Sequence, residues 1–211
     1  MSSVVAIFNM QNEIIHPDGK IGARGNAAVV RERGILAKTA ALLAAARAVS
    51  VPVFYVGSGY NASYEGLNRS VALFAEHEPS GRLQVGSWGA RFHPDIAPED
   101  GDTVLYRGGI GCFASTPIAE LLPPPEDAHV YVAGVSTRLV VEAVVFEFTD
   151  RGYPVSVVED CCAAASPQAH ADAIKTLSMF AAIEPAEQVI SRISGLLWPC
   201  RYQQNSGLQN Y

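Results

Sequence analysis

Three short segments carry groups that could act together on one small molecule. Asn9 follows the apolar run 4–8, Arg107 follows the run 102–106, and the Gly134-Val135-Ser136 turn follows the run 129–133. An amide, a guanidinium and a backbone turn can orient a ligand and stabilise developing negative charge. None of them attacks a carbonyl or moves a proton. The Asn9 amide does not titrate, and Arg107 stays protonated at working pH. Arg107 can hold a carboxylate or phosphate in bidentate fashion. The turn continues into Thr137-Arg138-Leu139-Val140-Val141, the start of a predicted helix.

The remaining reactive side chains are more scattered. Cys112 lies five residues after Arg107 and directly before Phe113. As a nucleophile it would need an activating base, and none is near it in sequence. Otherwise it is a small hydrophobe. Cys161, Cys162 and Cys200 show no zinc spacing and read as free thiols of a reducing compartment. Histidines 16, 77, 93, 129 and 170 form no ligand motif, and neither metal nor other cofactor is expected. Trp88 and Tyr60 are candidates for covering a planar ligand or for packing at an interface.

Strands alternating with helices must position these groups. Apolar runs at 4–8, 51–56, 102–106, 129–133, 154–158 and 181–183 read as strands covered on both faces. Helical patterns fall at 26–49, 116–122, 137–151 and 167–179, with a short one at 69–75. That alternation predicts a three-layer α/β/α sandwich around a mainly parallel sheet. In such sheets ligands bind beyond the carboxyl ends of the strands. Asn9, Arg107 and the Val135-Ser136 turn all fall there. Segment 57–98 is mostly irregular and is expected to form a lid or a subunit contact. Residues 1–194 read as one domain and 195–211 as a polar tail.

Bulk properties narrow the partners. The 211 residues are 49% hydrophobic and 17% charged, a globular balance, with a formal net charge of -6. That charge and the lack of a basic stripe exclude nucleic acid as the main partner. The first apolar run is too short for a signal peptide or membrane span, so no membrane partner and a cytoplasmic location are expected.

The chain resembles the isochorismatase-like cysteine hydrolases. The likeness rests on Ala6-Ile7-Phe8-Asn9-Met10-Gln11-Asn12-Glu13, on Gly86-Ser87-Trp88-Gly89-Ala90, and on Val104-Leu105-Tyr106-Arg107 with Phe113 and Thr116. It continues through Gly134 to Gly152-Tyr153 and Glu159-Asp160. The resemblance implies the isochorismatase-like hydrolase fold and a homo-oligomer. It also implies that Asn9, Arg107 and Val140 stand where the family carries aspartate, lysine and nucleophilic cysteine. All three differ, and the thioester route at position 140 is excluded. Members that cleave a vinyl ether lack the cysteine but rely on the aspartate, which Asn9 replaces. The zinc motif of some members has no counterpart in 57–66. The Val135–Ser136 peptide matches a non-proline cis bond of the family and is expected to be cis, which by the resemblance would aim backbone amides from Ser136 to Val140 at a bound oxygen, an oxyanion hole at a helix N-terminus.

Three functions follow as expectations. One is an enzyme that binds a small anionic or carbonyl-bearing molecule and performs a non-covalent step such as isomerisation, cyclisation, elimination or enol-ether cleavage, with secondary metabolism as a setting. Its catalytic groups would be Asn9 and Arg107. Trp88, Cys112, Phe113, Val135, Ser136 and Val140 would line the substrate. The second is a non-catalytic relative or structural subunit. The third is a hydrolase that uses Cys112.

Overall fold

Each of the predicted apolar runs becomes a strand, and the sheet they form is wholly parallel. The computed structural model describes residues 1–195. The strands are β1 (Ser2–Phe8), β2 (Val53–Ser58), β3 (Thr103–Arg107), β4 (Ala128–Val135), β5 (Val155–Ala163) and β6 (Ala182–Glu184). Their order across the sheet is β3-β2-β1-β4-β5-β6. Successive strand residues face opposite sides, and both sides are covered. Val5 and Ile7 of β1 join Tyr55, Tyr131 and Val158 in one core. Val4, Ala6 and Phe8 join Phe54, Val130 and Val132 in the other. This is why the strands read as unbroken apolar runs rather than as alternating ones.

Helices α1 (Asn12–Ile15), α2 (Asn26–Glu32), α3 (Ile35–Ala48) and α7 (Ala186–Ile193) cover the first face. Helices α4 (Ile118–Leu121), α5 (Glu142–Asp150) and α6 (Pro167–Leu177) cover the second. The start of α6 follows local rules: Pro167 occupies its first turn, and the Ser166 hydroxyl accepts from the Ala169 amide. None of the described helices is long and apolar enough to cross a membrane.

Several predicted boundaries move. The helix expected over 26–49 is two helices, broken at Gly34, whose φ of 64° is left-handed. A helix cannot continue through that conformation, and glycine adopts it without a Cβ clash. The helix expected at 69–75 is a series of turns, and α4 is shorter than predicted. The helix expected over 137–151 divides into a wide π-type turn, Thr137–Val141, and α5. Strands β3 and β4 reach Arg107 and Val135, so both residues end strands instead of following them. The predicted tail beyond Gly195, with Cys200, lies outside the described residues.

The long segment between β2 and β3 carries two isolated bridges, Gln11 with Phe92 and Tyr60 with Gln84. Buried Gln11 ties it down. Its Nε2 donates to the Ser58 and Ala90 carbonyls, and its Oε1 accepts from the Ser58 amide, each at 2.8 Å. The segment thus crosses the carboxyl ends of β1 and β2.

Candidate active site

The chain runs outward from β1 through β2 to β3, then returns to place β4 on the other side of β1. The reversal leaves a crevice at the carboxyl ends of β1 and β4, where open α/β sheets bind ligands. Asn9 leaves β1 there with φ of 55°, a conformation asparagine tolerates better than most residues. Arg107 ends β3, two strands away, and its side chain reaches Asn9. Arg107 Nη2 donates to Asn9 Oδ1 at 3.0 Å, and the Ser58 hydroxyl donates to the same oxygen at 3.4 Å. A guanidinium only donates, so this bond fixes the amide: Oδ1 faces Arg107 and Nδ2 faces away. Among the described residues, nothing accepts from Nδ2.

Arg107 is only 1% exposed. Nη1 donates to the Gly109 carbonyl, and Nε is sealed without a partner. No described carboxylate pairs with it. Burial pulls its pKa down to about 10, while the Cys112 thiol, Glu147 and Tyr60 pull weakly the other way. The Tyr60 hydroxyl donates to the Gly108 carbonyl at 3.0 Å. Clefts of about 630 and 530 Å³ exist elsewhere on the molecule, one among α1, α2 and α3 and one beside Trp88. Neither of these two clefts is lined by Arg107 or Asn9.

Sequence proximity concealed a carboxylate beside Cys112. Glu147 Oε2, on α5, accepts from the Cys112 amide at 2.5 Å and from the Phe113 amide at 3.3 Å. A Cβ at Gly111 would overlap Oε1 of the same carboxylate. The glycine was the one local hint that something packs close to this loop. Burial first, and Glu147 second, push the Cys112 thiol far above its ordinary pKa. The thiol is also fully buried. It is held protonated and sealed, the opposite of an activated nucleophile.

The other expected site residues separate into two groups. Val140 is 4% exposed and packs in one core with Cys112 and Phe8. Val135 is buried in the other core, and the Val135–Ser136 peptide is cis. Phe113 turns away: its ring meets Phe148 edge-on at 5.0 Å and lies 4.1 Å beneath the Arg151 guanidinium. Trp88 does not reach Arg107 either. It is half exposed, meets His16 edge-on, and lines a separate cleft with Phe92, Val104 and Tyr106. The expected run of free amides is also shorter. Those of Leu139, Val140 and Val141 already donate to the Ser136 carbonyl at 3.4, 3.0 and 3.1 Å. They turn inward because the wide turn closes on that single oxygen.

A second polar chain supports the turn and was not anticipated. Thr137 Oγ1 meets His170 Nδ1 at 2.8 Å, and His170 Nε2 meets Glu159 Oε1 at 2.6 Å. Arg33 Nη2 donates to that same carboxylate oxygen at 2.6 Å. Burial alone would lift the Glu159 carboxyl, but the bonds from His170 and Arg33 outweigh it and hold it below the usual carboxylate range. No group of three His, Cys, Asp or Glu side chains that could hold a metal occurs among the described residues.

The isochorismatase domain family model matches residues 3–188. The chain belongs to the isochorismatase family. Ureidoacrylate amidohydrolase RutB of Methylobacterium radiotolerans is 26% identical to this family member, covering 90% of the chain and 81% of the relative. Among solved structures, an isochorismatase family protein from Desulfovibrio vulgaris matches with a TM-score of 0.78 at 22% identity, over 92% of this chain and 98% of that one. N-carbamoylsarcosine amidase from Thermoplasma acidophilum gives 0.69 at 20% identity, over 89% and 98%. Nicotinamidase/pyrazinamidase PncA from Bacillus subtilis gives 0.72 at 16% identity, over 87% and 100%. These structural likenesses establish the shared fold. Within it, this isochorismatase-family chain joins the Asn9 amide to the Arg107 guanidinium and buries a valine at position 140.

Proposed function

We propose that this chain binds a small anionic or carbonyl-bearing molecule at Arg107 and Asn9, and that any turnover there forms no covalent bond to position 140. The observation that carries the reading is the buried Arg107 guanidinium, with Nε unpartnered and no carboxylate paired to it. Burying an uncompensated charge is costly, so a bound anion is the natural complement. Arg107 and the Asn9 amide would then orient the ligand and stabilise charge that develops on its oxygen. The amidohydrolase and amidase names of the relatives favour hydrolysis over isomerisation, cyclisation or elimination. Attack would then fall to water, because Val140 is inert and the Cys112 thiol is sealed.

A second reading is a binding protein without turnover. It is favoured by the fact that neither Asn9 nor Arg107 can shuttle a proton near neutral pH. A thermal-shift screen of small carboxylates, amides and enol ethers tests the shared core of both readings, with Arg107→Ala beside the wild type. A ligand at 100 times its Kd adds about 2.7 kcal/mol of stability. Stabilisation of the wild type that Arg107→Ala lacks is the expected result. Absence of any ligand shift in the wild type would remove the ligand site. Turnover of a stabilising ligand then separates enzyme from binder.

A further inference from the structure

We infer that the cleft beside Trp88 is a second ligand site, fitted to a planar aromatic molecule that carries a carboxylate, and that it binds independently of Arg107 and Asn9. The inference goes beyond the function proposed above and does not rest on it. The cleft measures about 530 Å³, within the range of small-molecule sites. Trp88, Phe92 and Tyr106 give it three aromatic walls, and Val104 adds an aliphatic one. Trp88 and Val104 are 45% and 39% exposed and Tyr106 is partly exposed, so a ligand can reach them. Tyr106 and Arg107 are neighbours on β3, and neighbours on a strand point to opposite faces of the sheet. The cleft and the Arg107 guanidinium are therefore on opposite sides.

The walls are held in place before any ligand arrives. Asn12 Nδ2 donates to the Trp88 carbonyl at 2.9 Å, and the Trp88 ring meets His16 edge-on at 5.1 Å. Phe92 meets Tyr55 edge-on at 4.8 Å, and its backbone is bridged to Gln11. A Cβ at Gly59 would overlap the Tyr106 ring, so that glycine makes room for it. A cleft formed in advance loses little entropy when it binds. Its polar groups then select charge. Arg91 is the one charged side chain among the described residues that line it. No described carboxylate pairs with Arg91, whose side chain makes a single long bond, from Nη2 to the Gly86 carbonyl at 3.5 Å. The Tyr106 hydroxyl reaches the Ala90 carbonyl only at 3.5 Å, and that carbonyl already takes Gln11 at 2.8 Å. Burial raises the Tyr106 pKa and Arg91 pulls it back, so the phenol stays a neutral donor near neutral pH. A carboxylate accepts from such donors while its ring packs on the aromatic walls. With no acidic lining residue, nothing in the cleft opposes it.

The experiment measures binding to the full chain by ligand-observed NMR, using 2-naphthoate, 2-naphthamide and cyclohexanecarboxylate. The naphthoate is expected to bind about fivefold or more tightly than its amide, and about tenfold more tightly than the non-aromatic acid. Trp88→Ala should weaken the naphthoate by about tenfold, and Arg91→Gln should erase its advantage over the amide. Arg107→Met should leave naphthoate binding unchanged, which separates this site from the one at Asn9. No naphthoate binding in the wild type would overturn the inference, as would equal affinity for acid and amide. Binding that follows Arg107 and ignores Trp88 and Arg91 would overturn it too. A concentration-dependent dimer in light scattering that Trp88→Ala dissociates, with no probe bound, would assign the surface to a second copy of the chain instead. The wild-type comparisons decide the matter even if a variant fails to fold.

Discussion

Replacing Arg107 by methionine should leave the unliganded protein about as stable as before. Burial moves the arginine pKa from 12.5 to about 10. At about 1.4 kcal/mol per unit, the folded state carries a penalty of roughly 3 kcal/mol for keeping this charge. Methionine removes the charge and retains much of the apolar stem. It also removes the donors to Asn9 Oδ1 and the Gly109 carbonyl. The Gly109 carbonyl left unpaired costs about 1–3 kcal/mol, while Asn9 Oδ1 keeps the Ser58 hydroxyl. The opposing effects nearly cancel, so a change within about 1 kcal/mol either way is expected. A structural arginine in a buried ion pair would instead cost about 3–5 kcal/mol when removed. Urea unfolding of both proteins, without ligand and with the m-value checked for constancy, makes the comparison. A loss of 3 kcal/mol or more at unchanged m would refute the picture of an uncompensated charge kept for a ligand.

Val140→Cys should cost about 1 kcal/mol and yield no amide hydrolysis, because neither Asn9 nor Arg107 can take the new thiol's proton. Detectable amidase activity in that single variant would show that a base has been overlooked. Glu147→Ala should cost about 2–3 kcal/mol by stranding the Cys112 and Phe113 amides. In that background Gly111→Ala should lose most of its own penalty, and additive effects in the double-mutant cycle would contradict the described packing. Treatment with iodoacetamide under native conditions should leave Cys112 unmodified, as peptide mapping would show. Stability should depend on Glu159 in a defined pH window. Its folded pKa lies below the unfolded value, so the unfolded state binds the proton first as pH falls. The contribution is therefore present above the ordinary carboxylate range and is lost as pH drops through the lower folded value. Glu159→Gln should be clearly less stable than the wild type at neutral pH, with the gap closing as pH falls below the ordinary carboxylate range. A gap that does not change with pH would mean that the Glu159 charge adds nothing.

The sheet was legible because strands covered on both faces need continuous apolar runs, and runs such as 4–8 and 129–133 have few other uses. The meeting of Asn9 and Arg107 was legible for a related reason. Once the strands were located, Asn9 and Arg107 had to lie at their carboxyl ends. What escaped were partnerships between distant residues. Glu147 is 35 positions from Cys112, His170 is 33 from Thr137, and Arg33 is 126 from Glu159. No local pattern announces such pairs. Phe113 and Trp88 misled because an aromatic residue near a site in sequence has two faces of a sheet, or two sides of a loop, on which to pack. The break at Gly34 was visible as a weak point, but only the left-handed φ makes it a boundary.

The chain of contacts from Arg33 through Glu159 and His170 to Thr137 passes through the sheet itself. Arg33 closes α2 on one face, Glu159 belongs to β5, and His170 sits on α6 on the other face. The two helical layers otherwise have separate oily interiors, and oil holds layers together without fixing their alignment. This polar chain works like a dowel between laminated boards, and its far end fits the turn that borders the crevice. Sequence drift on the outer surface of α2 is therefore not free of consequence for the crevice. A lineage that changes Arg33 would need a matching change at Glu159 or His170, and anyone grafting a new reaction onto this scaffold inherits the same constraint.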